Sequence, residues 1–299
     1  MTPTQRLRDL LAGGRLIPMP CCGDALGATL IEQAGFPLTF MSGFSAAAHR
    51  LGGPDTGLMS YAEVLDQGRN ITDAVGIPVI GDGDTGYGNP LNLQRTLRGF
   101  AKAGFAAIML EDQVAPKRCG HTAGKAVVDR EEALDRVRAA VEARDAGAEI
   151  MILARTDARA LLGLGEAIER ANRFRELGAD MLFVEAPASV DEMAAICREA
   201  PGIHLANMLE GGKTPILPPS ELEALGYRIA AYPLTLLAAA MQAMVTALSE
   251  FQAGRHPGGL MPFAEVRRRL GFDTYDATAR RYGRRPAGED LKTPGTDTA

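Results

Sequence analysis

Eight short, continuous apolar segments alternate with helical segments along most of the 299 residues of this chain. Apolar runs without alternation are typical of parallel strands that are buried on both faces. The predicted strands are 16–19, 38–41, 78–81, 106–110, 149–154, 181–184, 203–206 and 228–231. The predicted helices between them include 25–34, 61–75, 91–103, 130–146, 164–177 and 190–199. Several of these helices end at a glycine, which is a common helix C-cap.

Eight strand–helix units with short connections predict a parallel sheet that closes into a (β/α)8 barrel of the TIM type. An open, doubly wound sheet is the alternative, but Pro20-Cys21-Cys22-Gly23-Asp24 is not the glycine-rich turn that such a sheet needs after its first strand. Helical patterns continue at 236–251, 262–270 and 275–282, and we expect these helices to pack against a neighbouring subunit. The prediction is one barrel with C-terminal helices over 1–285 and a disordered tail over 286–299.

Composition and charge exclude several classes of protein. A net charge of -5 argues against nucleic acid as the main partner. No apolar run approaches the roughly 20 residues of a membrane helix, and the N-terminal residues lack the apolar core of a signal peptide. Four cysteines without CxxC spacing form neither a disulfide framework nor a zinc site. We therefore expect a cytoplasmic protein that binds neither nucleic acid nor a membrane.

Charged residues follow several of the predicted strands, at the end of a barrel where active sites form. Asp82 and Asp84 follow the third strand, Glu111 the fourth and Glu185 the sixth. Carboxylates brought together repel one another unless a cation neutralises them, and oxygen ligands without a histidine cluster favour Mg2+ or Mn2+. Arg155, after the fifth strand, offers a planar fork for a substrate carboxylate.

The loop after the fourth strand carries a second chemical signal, Lys117-Arg118-Cys119-Gly120-His121. Neighbouring cations lower the pKa of a cysteine and favour its thiolate. The alternative is a solvated basic turn with an incidental cysteine, and this segment alone does not decide between the two. Together with the acids, it predicts a bound metal that stabilises an enolate and a thiol that exchanges a proton with it. The loop is long enough to close as a lid.

With these motifs in order over roughly residues 5 to 285, the chain resembles the isocitrate lyase / phosphoenolpyruvate mutase superfamily. The loop from Lys117 to His121 is the most specific of the matches. The others are Met41-Ser42-Gly43, Asp55-Thr56-Gly57, Gly81-Asp82-Gly83-Asp84-Thr85-Gly86-Tyr87-Gly88, Glu111-Asp112-Gln113, Ala154-Arg155-Thr156-Asp157-Ala158 and Asn207-Met208-Leu209-Glu210-Gly211-Gly212-Lys213-Thr214-Pro215.

The resemblance implies a Mg2+-dependent barrel, usually a homotetramer in which a helix is swapped between subunits, and it assigns roles to individual residues. Asp82 is the expected direct ligand of Mg2+, and the acids that hold its waters are Asp55, Asp84 and Glu111. The residues expected to bind the oxo-acid end of the substrate are Ser42, Gly43 and Arg155. Those expected near its second carboxylate are Glu185 and Asn207. Cys119 is the expected acid or base, with its protonation set by Lys117, Arg118 and His121.

Departures from the family pattern bear on the substrate. Phe40 stands where many of these lyases have a tyrosine, so a phenol base is missing there. The segment that begins Tyr232-Pro233-Leu234 is similar to the 2-methylisocitrate lyases, but Ala238 or a neighbour stands where those have an arginine, which argues against a third substrate carboxylate. The segments 207–215 and 231–235 are closer to the 2,3-dimethylmalate and other 2-alkylmalate lyases. Gly23 replaces a usual aromatic residue, which predicts a wider pocket or a looser loop.

The resulting prediction is a lyase that cleaves a 2-hydroxy di- or tricarboxylate, of the 2-alkylmalate or 2-methylisocitrate type. Its products would be a 2-oxo acid such as pyruvate and a second carboxylate. Three alternatives stay open at this point. They are hydrolysis or decarboxylation of oxaloacetate, phosphonomutase chemistry on phosphoenolpyruvate or carboxyphosphonate, which the cysteine loop disfavours, and a barrel that binds oxo acids without turnover.

Overall fold

The computed structural model describes residues 1–118 and 124–283 of the chain. Cys119, His121 and the predicted tail at 286–299 lie outside the described residues. The chain divides into two compact units, one from Met1 to Met241 and one that starts at Gln242.

The first unit contains the predicted barrel. Eight parallel strands of the described chain pair in sequence order, and the sheet closes where the first strand pairs with the last, with Ile17 opposite Ile229. The (β/α)8 prediction is therefore confirmed. The strands are β1 (Ile17–Cys22), β2 (Thr39–Met41), β3 (Val79–Asp82), β4 (Ala107–Glu111), β5 (Met151–Thr156), β6 (Met181–Val184), β7 (His204–Asn207) and β8 (Tyr227–Tyr232).

Helices follow the strands around the outside of the sheet. Those of the first unit are α1 (Pro3–Ala12), α2 (Ala25–Gln33), α3 (Gly43–Leu51), α4 (Tyr61–Ala74), α5 (Pro90–Lys102), α6 (Arg130–Asp145), α7 (Arg159–Leu162), α8 (Leu164–Leu177), α9 (Val190–Glu199) and α10 (Pro219–Leu225). α11 (Thr235–Gln252) begins in the first unit, and α12 (Phe263–Arg269) and α13 (Phe272–Arg281) belong to the second. No helix in the described ranges is long and apolar enough to cross a membrane.

Several strands run one or two residues further than the sequence predicts, because their last residues are polar but still pair. Asp82 ends β3 opposite Met109, and Glu111 ends β4 opposite Arg155. Asn207 ends β7 opposite Ala231. Asp82, Glu111 and Asn207 therefore lie on hydrogen-bonded strand backbone, which fixes their position more firmly than a loop would.

Apolar side chains fill both the inside of the barrel and the layer between strands and helices. Met19, Ile80 and Leu153 are fully buried among the inward-facing residues. In the outer layer, Phe100 of α5 stacks on Phe105 with ring centroids 4.8 Å apart. Gly81 allows this stacking, since a Cβ there would lie 2.7 Å from both rings.

Candidate active site

A pocket opens at the carboxyl-terminal ends of the strands and unites residues from distant parts of the chain. The predicted site residues that line it are Ser42, Asp55, Asp82, Glu111, Lys117, Arg118, Arg155, Glu185 and Asn207. The other two described ones, Gly43 and Asp84, line an adjoining small cavity that shares Asp55 and Asp82 with the pocket. The sequence therefore identified groups that the fold brings together.

Asp82 is fixed where β3 meets the start of α3. The Gly43 backbone N–H donates to Asp82 Oδ2 over 3.1 Å, and the Asp84 N–H donates to Oδ1 over 3.2 Å. A Cβ at Gly43 would lie 2.6 Å from Asp82 Oδ2, so only glycine allows this approach. Ser42 caps α3 by accepting from the Ser45 N–H over 3.3 Å. The helix start adds partial positive charge beside the carboxylate.

Lys117 lies among the acids. Its Nζ is 2.7 Å from Asp55 Oδ2 and 2.8 Å from Asp84 Oδ1, and the side chain is 6% exposed. Burial alone lowers the pKa of this ammonium group, but the carboxylates of Asp84, Asp82 and Asp55 outweigh burial and hold the pKa well above its ordinary value. Lys117 therefore supplies a permanent positive charge that partly neutralises the cluster.

Asp84 is held in an uncommon backbone conformation with φ +48°. The Tyr87 hydroxyl donates to Asp84 Oδ2 over 3.0 Å. Burial raises the pKa of Asp84 to about 6, with Lys117 opposing and Asp82 adding to the shift. The fold thus buries Asp84 where its charged form is disfavoured, and such perturbed groups are typical of functional sites.

The donor set fits a hard divalent cation bound mainly through water. Glu111 is 4% exposed, and its Oε1 is buried with no hydrogen-bond partner among the residues that the structure describes. Burial also raises the pKa of Glu111 above its ordinary value. Within the described residues no three acid, histidine or cysteine side chains are spaced as direct ligands of one ion. Mg2+ requires no such trio, because it commonly keeps several waters and takes one or two carboxylates directly.

Arg155 lies near the end of β5 and lines the pocket, and several neighbouring groups fix its side chain. Asp157 accepts from it twice, from Nε to Oδ2 over 2.8 Å and from Nη2 to Oδ1 over 3.2 Å. Glu111 Oε2 is 3.3 Å from Nε, and the Phe183 ring centroid lies 5.2 Å from the guanidinium carbon. The guanidinium is thus fixed between acids and an aromatic face.

Glu185 and Asn207 lie next to each other near Arg155. The Asn207 amide nitrogen lies 3.4 Å from both carboxylate oxygens of Glu185, which is fully buried. Glu185 Oε2 is also 3.8 Å from Arg155 Nη2. This pair therefore shapes the environment of Arg155 and offers an amide to a bound carboxylate.

A buried polar network behind Arg155 was not predicted from the sequence. Lys125 Nζ donates to Asp157 Oδ1 over 2.6 Å, and the two cations lower the pKa of Asp157 to about 2 although burial opposes this shift. Asp112 accepts from the Asp157 N–H over 2.8 Å and pairs with Arg170 over 3.0 Å. Asp112 follows Glu111 directly, and adjacent residues of an extended chain point to opposite faces. If Glu111 faces the pocket, Asp112 must face away from it, and this pattern could have predicted a second polar network behind the pocket.

The remaining wall of the pocket is apolar. Its side chains come from Phe40, Phe44, Phe183, Leu205, Leu209 and Leu234. No tyrosine lines this pocket among the residues that the structure describes, and the Tyr87 hydroxyl is bonded to Asp84 instead.

Gly23 does not line this pocket but lies in a separate apolar groove, and the wider pocket expected at this position stays a prediction. The backbone of α3 packs directly against Gly23, and a Cβ there would lie 2.4 Å from the Ser45 carbonyl carbon. The Gln67 side chain also donates to the Gly23 carbonyl over 2.7 Å. These contacts account for a glycine here and hold the loop in place.

Comparison with known proteins agrees with this geometry. The family model described as phosphoenolpyruvate phosphomutase matches residues 7–252. The chain is 44% identical over 245 residues to 2,3-dimethylmalate lyase of Eubacterium barkeri, covering 82% of this chain and 84% of the relative. It is 47% identical over 228 residues to the petal death protein of Dianthus caryophyllus, covering 76% and 71%. A solved structure of oxaloacetate acetylhydrolase with 3,3-difluorooxalacetate superposes with TM-score 0.90 at 34% identity, covering 95% and 98%.

Fold, site and matches define a barrel enzyme of the phosphoenolpyruvate mutase/isocitrate lyase superfamily. Within it, the chain belongs to the phosphoenolpyruvate phosphomutase family, whose model covers most of the barrel.

Proposed function

We propose that the protein is a Mg2+-dependent carbon–carbon lyase that cleaves a 2-hydroxy dicarboxylate of the 2-alkylmalate type. The observation that carries this proposal is that two kinds of residue line one pocket. The acids and Arg155 form one group, and Phe44, Leu209 and Leu234 form the other. The acids and the arginine suit a chelating hydroxy acid, and the apolar wall suits an alkyl substituent. The lyase relative supports the same reaction class.

The proposed Mg2+ site uses Asp82 as the direct ligand. Asp55, Asp84 and Glu111 would hold the waters of the ion. Bound there, Mg2+ would act as a Lewis acid that stabilises negative charge on an oxo-acid oxygen. Mn2+ has the same preference for oxygen ligands and could replace it.

The residues of the chain bind and orient the substrate. Arg155 would pair with the carboxylate at the oxo-acid end, beside Ser42 and the Gly43 backbone N–H. Glu185 and Asn207 would contact the second carboxylate. In the reaction, the proton of the 2-hydroxyl passes to water, the C2–C3 bond breaks with its electron pair left on C3, and C3 takes up one proton, so that no net proton is gained or lost. For 2,3-dimethylmalate the products are pyruvate and propionate.

Cys119 is the proposed acid that protonates C3. Lys117, Arg118 and His121 are proposed to set its protonation state. Lys117 reaches the acidic cluster at the base of this segment, which supports a link between the segment and the metal site. Cys119→Ala should abolish turnover and leave Mg2+ binding intact, whereas unchanged turnover would remove Cys119 from the mechanism.

The charge of the pocket favours a dicarboxylate over a tricarboxylate. Three cationic residues line the described pocket, and Lys117 is already paired with two acids. Arg118 is exposed, so Arg155 is the buried cation available to the substrate. A third carboxylate of the 2-methylisocitrate type would face Leu209 and Leu234, where desolvation is unfavourable.

A substrate panel tests the proposal. With Mg2+, 2,3-dimethylmalate or another 2-alkylmalate should release a 2-oxo acid, which is pyruvate where the substituent on C2 is methyl. Release of pyruvate from 2-methylisocitrate should be at least about 10-fold slower. Turnover of 2-methylisocitrate that equals or exceeds that of the 2-alkylmalates would overturn the proposal that the apolar residues bind an alkyl substituent. Absence of turnover across the panel would overturn the lyase proposal.

Oxaloacetate hydrolysis is the second candidate, because the backbone superposes closely on oxaloacetate acetylhydrolase. Oxaloacetate chelates a metal as a 2-hydroxy acid does, but it carries no alkyl group for the apolar wall. Loss of oxaloacetate with formation of oxalate and acetate, and no turnover of alkylmalates, would favour this candidate. Release of pyruvate from oxaloacetate would instead indicate decarboxylation.

We further propose a homotetramer with α11 exchanged between subunits. The exposed residues Met244, Leu248 and Phe251 of this helix support it. An apolar groove on the first unit, lined by Leu26, Leu30 and other residues, offers a place for a helix of a second copy. Leu248→Glu should shift the molecular mass measured by light scattering from tetramer to smaller species. The cytoplasmic location and the lack of nucleic-acid and membrane partners stay predictions.

A further inference from the structure

Asp157 lies at the centre of a buried chain of charges behind the pocket. Its side chain is fully buried, and its two oxygens accept from Arg155 and from Lys125. The Arg155 guanidinium has shorter contacts to Asp157, at 2.8 Å, than to Glu111 at 3.3 Å or Glu185 at 3.8 Å. Asp157 therefore dominates the orientation of this guanidinium.

Asp157 is itself fixed from behind. Its backbone N–H donates to Asp112 Oδ1 over 2.8 Å, while the Thr156 hydroxyl donates to Asp112 Oδ2 over 2.6 Å. Arg170 pairs with the same Asp112 oxygen over 3.0 Å and is 1% exposed. These contacts anchor the backbone of Asp157 through Asp112, and Lys125 holds its carboxylate, so Asp157 has little freedom to follow Arg155.

Lys125 brings a different part of the chain to this network. It lies between β4 and α6, six positions after Cys119, and does not line the pocket. Its side chain is 3% exposed, although a buried ammonium is unfavourable unless it is paired. Because Lys125 and Arg155 both contact the Asp157 carboxylate, Lys125 neutralises part of the negative charge that attracts Arg155. Without Lys125, the full charge of Asp157 would act on Arg155.

We infer that Lys125 and Asp157 are positioning residues that hold the Arg155 guanidinium at the angle needed to receive the carboxylate of the substrate. This inference rests on the proposed function for the role of Arg155. Within residues 1–118 and 124–283, the contacts of Asp157 are to Nε and Nη2, so we expect Nη1 to receive the carboxylate. With Asp157 neutralised or Lys125 removed, the balance between Asp157, Glu111 and Glu185 changes, and the guanidinium turns. A misplacement of about 1 Å at such a group lowers catalytic efficiency by about 100-fold.

The test measures binding of oxalate, a planar dicarboxylate that mimics the oxo-acid end, to the Mg2+-loaded protein by calorimetry. Lys125→Met should raise the Kd of oxalate about 10- to 100-fold, and Lys125→Arg, which keeps the charge, should restore most of the affinity. Asp157→Asn should weaken oxalate at least as much. Lys102→Met, an exposed lysine at the end of α5, is the matched control and should bind oxalate as the wild type does.

A double-mutant cycle separates positioning from a structural effect. In an Arg155→Met background, Lys125→Met should change the oxalate Kd by less than about twofold, because the residue through which it acts is gone. An equal loss of affinity in both backgrounds, or wild-type affinity in Lys125→Met, would overturn the inference. If the single variants fail to fold, the double variant Lys125→Met/Asp157→Asn removes both buried charges at once. This double variant should bind oxalate more weakly than the wild type when Arg155 is present, and no more weakly than Arg155→Met when Arg155 is absent.

The oxalate readout is independent of the lyase assignment. Wild-type protein that binds oxalate but cleaves no hydroxy acid would overturn the proposed function, while the cycle would still support or refute positioning. Wild-type protein that binds no oxalate would overturn the role of Arg155 and the positioning role with it.

Discussion

The pocket and its adjoining cavity are lined by two groups of residues with opposite physical chemistry. The acidic side, defined by Asp55, Asp82, Asp84, Glu111 and Lys117, collects buried carboxylates that burial and mutual repulsion destabilise and that Lys117 only partly neutralises. The apolar side, defined by Phe44, Leu209 and Leu234, is ordinary hydrophobic surface left open to the pocket. Buried like charges are unfavourable until a cation arrives, whereas apolar surface gains free energy from any alkyl group that covers it.

This difference indicates how function is divided. The acidic side suits what every proposed substrate shares, a chelating oxo- or hydroxy-acid end and the ion that activates it. The apolar side suits what differs between substrates, the group on the carbon skeleton. Changes on the acidic side should therefore affect all substrates alike, and changes on the apolar side should alter their ranking.

The largest effect is expected from Asp82→Asn, on the acidic side. Removal of the proposed direct ligand of the ion should lower kcat/KM at least about 1000-fold for every substrate, since metal activation contributes several kcal/mol. Steady-state kinetics at saturating Mg2+ measure this loss. The control is Asp66→Asn, an exposed acid paired with Arg50, which should retain full activity. Activity in Asp82→Asn near that of the wild type would remove Asp82 from the metal site.

Arg155→Lys should give the next largest effect, a loss of about 100-fold in kcat/KM. A lysine keeps the charge, but it cannot reproduce the planar fork that contacts Asp157 and a carboxylate together. The loss should be similar for alkylmalates and oxaloacetate, because both present the same end to Arg155. Arg159→Lys changes a neighbouring arginine that pairs with Glu192 outside the pocket, and it should change kcat/KM by less than twofold. A loss confined to one substrate would contradict the shared role.

Leu209→Ala tests the apolar side. Its loss should lower kcat/KM for 2-alkylmalates by about 10-fold and leave oxaloacetate within about twofold, because only the alkyl group contacts this wall. The measurement is the ratio of kcat/KM values for the two substrates. Leu91→Ala, which changes an exposed leucine of α5, is the matched control. An unchanged ratio would contradict the division between the two sides.

The smallest effect is expected in thermal stability as a function of pH. Burial raises the pKa of Asp84 from 3.8 to about 6, so the folded chain binds more protons than the unfolded chain between these values. Stability should therefore fall as pH rises through this window in the absence of divalent ions. We expect Tm to decrease by about 3 °C between pH 5 and pH 7 from this group. Added Mg2+ should raise Tm more at pH 7 than at pH 5.

Asp84→Asn should flatten this dependence, since the amide does not titrate. Differential scanning calorimetry with and without Mg2+ makes the comparison. A steeper dependence in the variant, or a Mg2+ effect that is greater at pH 5, would contradict the description of the acidic side.

Much of the fold follows from sequence because the strands are buried on both faces, as in β6, where the predicted 181–184 equals the observed strand. Strand ends were harder to predict, since Asp82 and Glu111 are polar residues that nonetheless pair within the sheet. The main acids and Arg155 were also predictable, because residues at the ends of parallel strands meet at one face. The ion pair of Lys125 with Asp157 was not, because only the folded chain brings the two residues together.

The most direct test of the central claim is pyruvate release from 2,3-dimethylmalate, measured in one preparation after chelation and after Mg2+ is restored. The account predicts no turnover with chelator, recovery with Mg2+, and a kcat/KM at least about 10-fold above that for 2-methylisocitrate. Turnover that persists in chelator would contradict the role of the acidic side. Preference for the tricarboxylate would contradict the role of the apolar side.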